Sequence, residues 1–117
     1  MEFRDALISL DVNLPETLHR FSGNEGLLRR FVMRFPQDAT YRELKDAIEQ
    51  GDSQKIERTA HTLKGLSANL GFGKLQAACN DLVVAVRQGQ GSSVPALYET
   101  VRAEYDKILQ YLGQVDA

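Results

Sequence analysis

Three residues in the middle of the sequence have types and spacing suited to one kind of chemistry. His61 is followed three positions later by Lys64 and four positions later by Gly65. A neutral imidazole nitrogen is a good nucleophile near pH 7. On a helix, a lysine at that spacing lies within side-chain reach of the ring and offsets negative charge that the ring gains. A glycine beside the ring leaves it uncovered, although in a helix interior it costs about 1 kcal/mol relative to alanine. The trio suits the acceptance of an anionic group such as phosphoryl, whose transfer depends mostly on alignment and charge stabilisation. A partner bringing Mg²⁺ and an acidic pocket would supply most of both. Without such neighbours, an exposed histidine would ordinarily be idle.

The reading needs a rigid element that turns His61 outward. At about 100° per residue, Ile56, Ala60, Leu63, Ser67 and Leu70 fall on one side of the segment 53–70 and are expected in the core. His61 lies about 150° from the middle of that stripe. Gln54, Glu57, Arg58, Lys64, Gly65 and Ala68 share its outer side. Gly65 therefore points where no packing requires it, and Ala68, two turns beyond His61, is also small. Glu57, one turn before His61, is the only nearby base that an enzymatic reading such as a phosphatase has to offer. It reads more simply as a solvated helix acid.

Periodicity is helical nearly throughout, with no run of period two. Leu14-Pro15 opens a short helix that stops near Ser22-Gly23. Asn24 caps the next, with Leu28, Phe31, Val32 and Phe35 as its apolar positions, and Pro36 predicts a kink or break. Helix resumes with Leu44, Ala47 and Ile48 and stops at Gly51. Asp52 or Ser53 caps the helix bearing His61, which runs to about Leu70. Gly71 and Gly73 mark a turn, and the following helix carries Leu75, Ala78, Cys79, Leu82 and Val86. After Gly89-Gln90-Gly91, Ser92 or Ser93 caps the last helix, with the stripe Leu97, Val101, Ile108 and Leu112. Short glycine-containing turns between long amphipathic helices predict an all-α, antiparallel up-down-up-down four-helix bundle with a short extra N-terminal helix.

With 117 residues, 43% of them hydrophobic, one domain spanning 1–117 is expected. Fourteen basic against sixteen acidic residues argue against a nucleic-acid partner. No apolar run reaches the ~18–20 residues of a membrane span, and the acidic N-terminus lacks a signal-peptide core. The single cysteine, Cys79, cannot form an internal disulfide, fits a reducing compartment, and is expected to pack as a small hydrophobe. A cytoplasmic monomer is the expectation. His19 has no second histidine or cysteine at metal spacing and reads as a surface residue. Tyr98, Tyr105 and Tyr111 read as core and rim of the last helix.

The segment Ala60-His61-Thr62-Leu63-Lys64-Gly65-Leu66-Ser67-Ala68-Asn69-Leu70-Gly71 resembles the signature of histidine-containing phosphotransfer (HPt) domains. Phe21-Ser22-Gly23-Asn24 before Leu28 and Phe31 is similar to the start of that family's first long helix. Gly51-Asp52 also matches, as does Leu75 with Cys79, followed by Leu82, Ala85, Arg87 and Gly89. The resemblance covers roughly residues 10–112. It implies that His61 is the phospho-acceptor, through Nε2, with Lys64 steadying the phosphoryl group and Gly65 leaving room. It implies response-regulator receiver domains as partners, whose aspartate gives or takes the phosphoryl group with their own Mg²⁺. It also implies no cofactor, ATP site or kinase activity in the module itself.

One position departs from the pattern. A turn centred near Phe72 puts Val83 level with His61 on the neighbouring helix, where the family often has glutamate or glutamine. Valine cannot hydrogen-bond an imidazole, and Asn80, one turn earlier, is the candidate substitute. Phe72 falls about 20° from His61 if the helix persists that far. It is placed in an apolar docking patch with Glu57, Arg58, Ala68, Asn80 and Val83, the alternative being a turn residue that covers the core. The parent context is read as the C-terminal domain of a hybrid sensor histidine kinase in a bacterial two-component system. The alternatives are a free-standing relay protein, a chemotaxis-kinase phosphotransfer domain or, from another class, a helical bundle that only docks a partner.

Overall fold

A computed structural model describes residues 1–117, all of whose regular structure is helical. The α-helices are α1 (Phe3–Ser9), α2 (Leu14–Arg20), α3 (Glu25–Arg34), α4 (Thr40–Gln50), α5 (Ser53–Leu70), α6 (Gly73–Arg87) and α7 (Val94–Leu112). Short 3₁₀ turns at Phe35–Gln37 and Gly91–Ser93 precede α4 and α7. The break at Pro36 is the one its missing donor predicts.

Side-chain caps start the helices where asparagine or aspartate was expected to do so. The Asn24 side chain accepts from the Leu27 amide at 3.0 Å, and that of Asp52 from the Lys55 amide at 3.1 Å. Neither Ser92 nor Ser93 acts this way on α7, whose first turn is reached through the 3₁₀ turn instead. Gly71 ends α5 with φ +83°, and only glycine fits there. A Cβ at that position would lie 2.5 Å from Thr17 Oγ1 and 2.8 Å from Val12 Cγ1. That close approach seats α2 against the α5–α6 turn. Arg20 reinforces it, its Nε donating to the Asn69 carbonyl and its Nη2 to Thr17 Oγ1, both at 3.2 Å.

α5 lies at the centre of the packing, against α4 on one side and α6 on the other, with α7 closing the bundle on α6. Its inward face is Ile56, Thr59, Ala60, Leu63, Ser67 and Leu70. Thr59 is the residue on this face that the apolar stripe did not include. Its hydroxyl donates to the Lys55 carbonyl at 2.7 Å, and that of Ser67 to the Leu63 carbonyl at 2.7 Å, so neither is left unsatisfied in the core. Opposite them stand Leu28, Val32 and Phe35 of the α3 arm, Leu44 and Ala47 of α4, Leu75, Cys79 and Leu82 of α6, and Val101 and Ile108 of α7. Tyr98 and Tyr105 are buried and Tyr111 half-buried, as core and rim. Leu63 is 1% exposed, so truncating it to alanine would cost about 2–5 kcal/mol.

Two elements differ from expectation. α1 is a further helix, held through Phe3, Ala6 and Leu7. Phe31, expected on the apolar stripe of α3, is 45% exposed. The core face of α3 follows Leu28 and Val32, which places Phe31 about 80° from the middle of that face.

Candidate functional site

The inward face of α5 fixes the direction of its outer face. His61, Arg58 and Gly65 are exposed, while Glu57, Lys64 and Ala68 are half-buried at the sides of the same stripe. His61 sits in the ninth position of an eighteen-residue helix, far from either fraying end. The backbone that carries it is locked by the buried side chains beneath, so the ring rotates only about its own side-chain torsions.

A Cβ built on Gly65 meets nothing within 4 Å. This contrasts with Gly71, where the added carbon collides, and it means that no neighbouring element requires glycine at position 65. The space beside the imidazole is open. Lys64 makes no ion pair, so its ammonium is free to meet an anion on the ring. Glu57 is engaged: its Oε1 accepts from Arg87 Nε at 3.2 Å, tying α5 to the end of α6. Sequence reasoning did not pair these two. The signal was their symmetric placement about the α5–α6 turn.

The expected docking residues divide into two groups. Glu57, Arg58 and Ala68 reach the surface on the His61 side of α5, and Asn80 of α6 is partly exposed. Phe72 and Val83 do not. Phe72 is 2% exposed and its ring packs 5.4 Å from that of Phe35. The helix does not persist to position 72, because Gly71 turns the chain left-handed and sends the phenyl group inward. Val83 is 1% exposed. Being level with His61 along the hairpin did not make it face the ring, since it follows Leu82 on the inner side of α6. Neither residue can belong to a surface patch.

Cys79 is fully buried on α6, and burial pushes its thiol up to about 12. It packs as the small hydrophobe expected and takes no part in the surface chemistry. His19 is exposed at the end of α2.

No group of three His, Cys, Asp or Glu side chains is placed to hold a metal ion. The one carboxylate a turn from His61 is already bound to Arg87. No helix is long and apolar enough to cross a membrane.

What this surface presents is an exposed imidazole with two unpaired cations, Lys64 and Arg58, three residues to either side of it. Comparison with known proteins points the same way. The family model described as Hpt domain matches residues 26–111, leaving α1 and α2 outside the match. No curated protein and no solved structure matched the chain. The match spans well over half of the sequence, and the chain belongs to the Hpt domains, the phosphorelay modules that carry out histidine phosphotransfer with receiver domains of response regulators and have no kinase activity of their own.

Proposed function

We propose that His61 is the phospho-accepting residue and that the chain relays a phosphoryl group between receiver-domain aspartates. The observation that carries this reading is the open space at Gly65. A glycine in the interior of a long helix, at a cost of about 1 kcal/mol and with no packing reason, is accounted for if something else must occupy the space beside the ring.

In the forward step, imidazole Nε2 attacks the phosphorus of the receiver's aspartyl phosphate in line. The N–P bond forms as the bond to the aspartate oxygen breaks, the carboxylate leaves with the electron pair, and the proton on the other ring nitrogen is released to solvent. The reverse sequence passes the group to a second receiver. Lys64 offsets charge on the phosphoryl oxygens, and Gly65 admits both the group and the partner loop that brings it. Mg²⁺ belongs to the receiver and supplies further charge neutralisation at the transfer. Arg58, Ala68 and Asn80 frame the contact, and Glu57 holds Arg87 at its edge.

The same reading takes the whole chain, 1–117, as one cytoplasmic, monomeric Hpt unit. Its topology is an up-down-up-down bundle of the α3–α4 arm, α5, α6 and α7. Its parent is a bacterial hybrid sensor histidine kinase with the module at the C-terminal end. The test is phosphotransfer from a pre-phosphorylated receiver domain to this chain and to its His61→Gln variant. Transfer yielding an acid-labile, alkali-stable product and requiring His61 is the expected result. Equal labelling of the variant overturns the assignment. Lack of transfer from a broad panel of receivers shifts weight to a bundle that only docks.

A further inference from the structure

Glu57 is the only carboxylate on α5, and it does not stand alone. Its Oε1 accepts from Arg87 Nε at 3.2 Å, so a cation from α6 reaches across to the one acid near His61. Glu57 and His61 are four residues apart on one helix face, with Cβ atoms about 5–6 Å apart, so the carboxylate has the reach to meet the imidazole. Other charges surround the pair. Arg58 and Lys64 of α5, Arg42, Glu43, Lys45 and Asp46 of α4 and Asp81 of α6 lie at nearby heights in no ion pair. Of the more distant helices, α2 brings Arg20 to the Asn69 carbonyl and α3 brings Arg34 beside Leu66.

That carboxylate bears on the fate of a phosphorylated ring. A phosphohistidine decays when its free nitrogen is protonated. Imidazole then leaves as a neutral molecule, taking the electron pair of the N–P bond, while a water oxygen bonds to phosphorus and inorganic phosphate departs. A negative charge beside the ring favours the protonated, labile form. A free Glu57 would therefore shorten the life of the phosphoryl group.

We propose that Arg87 is a positioning residue that prolongs the life of the phosphoryl group on His61 by holding the Glu57 carboxylate and balancing its charge. The proposal rests on the His61 reading and adds why the relay does not run down between partners. It requires no strong bond. With the two side chains 57% and 38% exposed, the pair adds little to the fold. Its charges nevertheless cancel at the ring even when the contact opens briefly, because Arg87 stays within the screening length of about 8 Å at physiological salt. With Glu57 balanced, the charge that α5 itself sets beside the ring is that of Arg58 and Lys64. Positive charge there suits a phosphoryl dianion on one nitrogen and disfavours a proton on the other.

The experiment labels the full chain with phosphoramidate and, in parallel, with a phosphorylated receiver domain that is then removed. In the first case Nε2 bonds to phosphorus as the donor's P–N bond breaks, and ammonia leaves with the ring's proton. The decay of the phosphohistidine is followed by ³¹P NMR from about pH 5 to about pH 9. Unit charges 5–6 Å apart in water shift a titration by about half a unit. Arg87→Gln should therefore move the onset of decay upward by about half a pH unit, making decay at neutral pH about threefold faster. Arg87→Lys, which keeps the charge, should stay close to the parent. Replacing Glu57 by Gln in the Arg87→Gln background should restore the parent profile. Circular dichroism and urea midpoints should change little in all three. An unshifted profile in Arg87→Gln overturns the proposal. A shift that persists when Glu57 is also replaced overturns it in favour of direct contact between Arg87 and the phosphoryl group. Failure of both sources to label His61 overturns the acceptor assignment, and the proposal with it.

Discussion

Gly65→Ala places the smallest side chain in the space beside His61, and fold and chemistry should respond in opposite directions. The stability term comes from the helix. Alanine exceeds glycine in a helix interior by about 0.8–1.0 kcal/mol. The new Cβ touches nothing within 4 Å, so no clash subtracts from that gain. Unfolding entropy near 2.1 cal/mol/K per residue amounts to about 0.25 kcal/mol/K for 117 residues, so Tm should rise by roughly 4 °C. Gly65→Gln should still raise Tm, by about half as much, since glutamine ranks somewhat below alanine in helix propensity.

The transfer reaction should lose what the fold gains. Side chains four residues apart on a helix have Cβ atoms about 5–6 Å apart, within the reach of a phosphoryl group on the ring. A methyl group there crowds the incoming loop, and transfer should slow several-fold. The glutamine amide fills the approach path, and displacements near 1 Å from a reactive alignment cost on the order of a hundredfold. Thermal unfolding followed by circular dichroism and single-turnover phosphotransfer on the same preparations test both halves. A lower Tm in Gly65→Ala would show that glycine serves packing after all. Parent-like transfer by Gly65→Gln would refute the clearance argument whatever its Tm.

Lys64→Ala should slow transfer about tenfold or more while leaving helicity intact, because a charge-assisted contact of about 1.5–3 kcal/mol is lost. Lys64→Arg should recover part of the rate in the same assay. Gly71→Ala should lower the unfolding free energy by about 1–3 kcal/mol in urea titration, since it combines a left-handed backbone with the collision at Thr17 and Val12. Cys79 should resist thiol reagents at pH 8 until the chain unfolds. Because its folded value is raised to about 12 from an ordinary value near 9, its contribution to stability is complete below about pH 9 and declines as pH rises towards 12. The fall in urea midpoint between pH 8 and pH 10 should therefore be smaller in Cys79→Ala than in the parent.

From Leu14 onward, the helices and turns follow from apolar spacing, capping residues and glycines, because those signals are local. The parts not legible in advance depended on tertiary packing. α1 has Phe3, Ala6, Leu7 and Leu10 at helical spacing, but seven residues do not hold a helix alone, and only contact with the bundle makes the pattern count. Phe31 followed the apolar pattern by type, yet its phase differs from that of Leu28 and Val32, and hydrophobicity alone does not set phase. Phe72 and Val83 were misplaced for a shared reason. A helical wheel extrapolated past a terminating glycine no longer describes direction, and a hairpin register gives height but not facing. Around His61 the wheel succeeded because α5 is long and regular and leaves one stripe of its surface to solvent.

The placement of the candidate site on α5 also bears on how little it contains. Binding and reactive residues more often lie on loops, where one scaffold can present several groups convergently. A single helix face offers no such convergence. Its side chains diverge, and besides the imidazole only the unpaired cations Lys64 and Arg58, three residues to either side of it, are free to act on a bound anion. On the proposed reading such a surface is half of an active site, completed when a receiver domain supplies the metal and the remaining charge. The rigidity of α5 then has a direct consequence. With the nucleophile fixed by Ala60 and Leu63 beneath it, alignment for in-line attack is set almost entirely by how the partner docks. Specificity should therefore follow the docking surface and not the residues that touch phosphorus. Exchanging the exposed residues that flank His61, such as Arg58 and Asn80, between two relay modules should redirect partner choice, whereas exchanging Lys64 or Gly65 should change only rate.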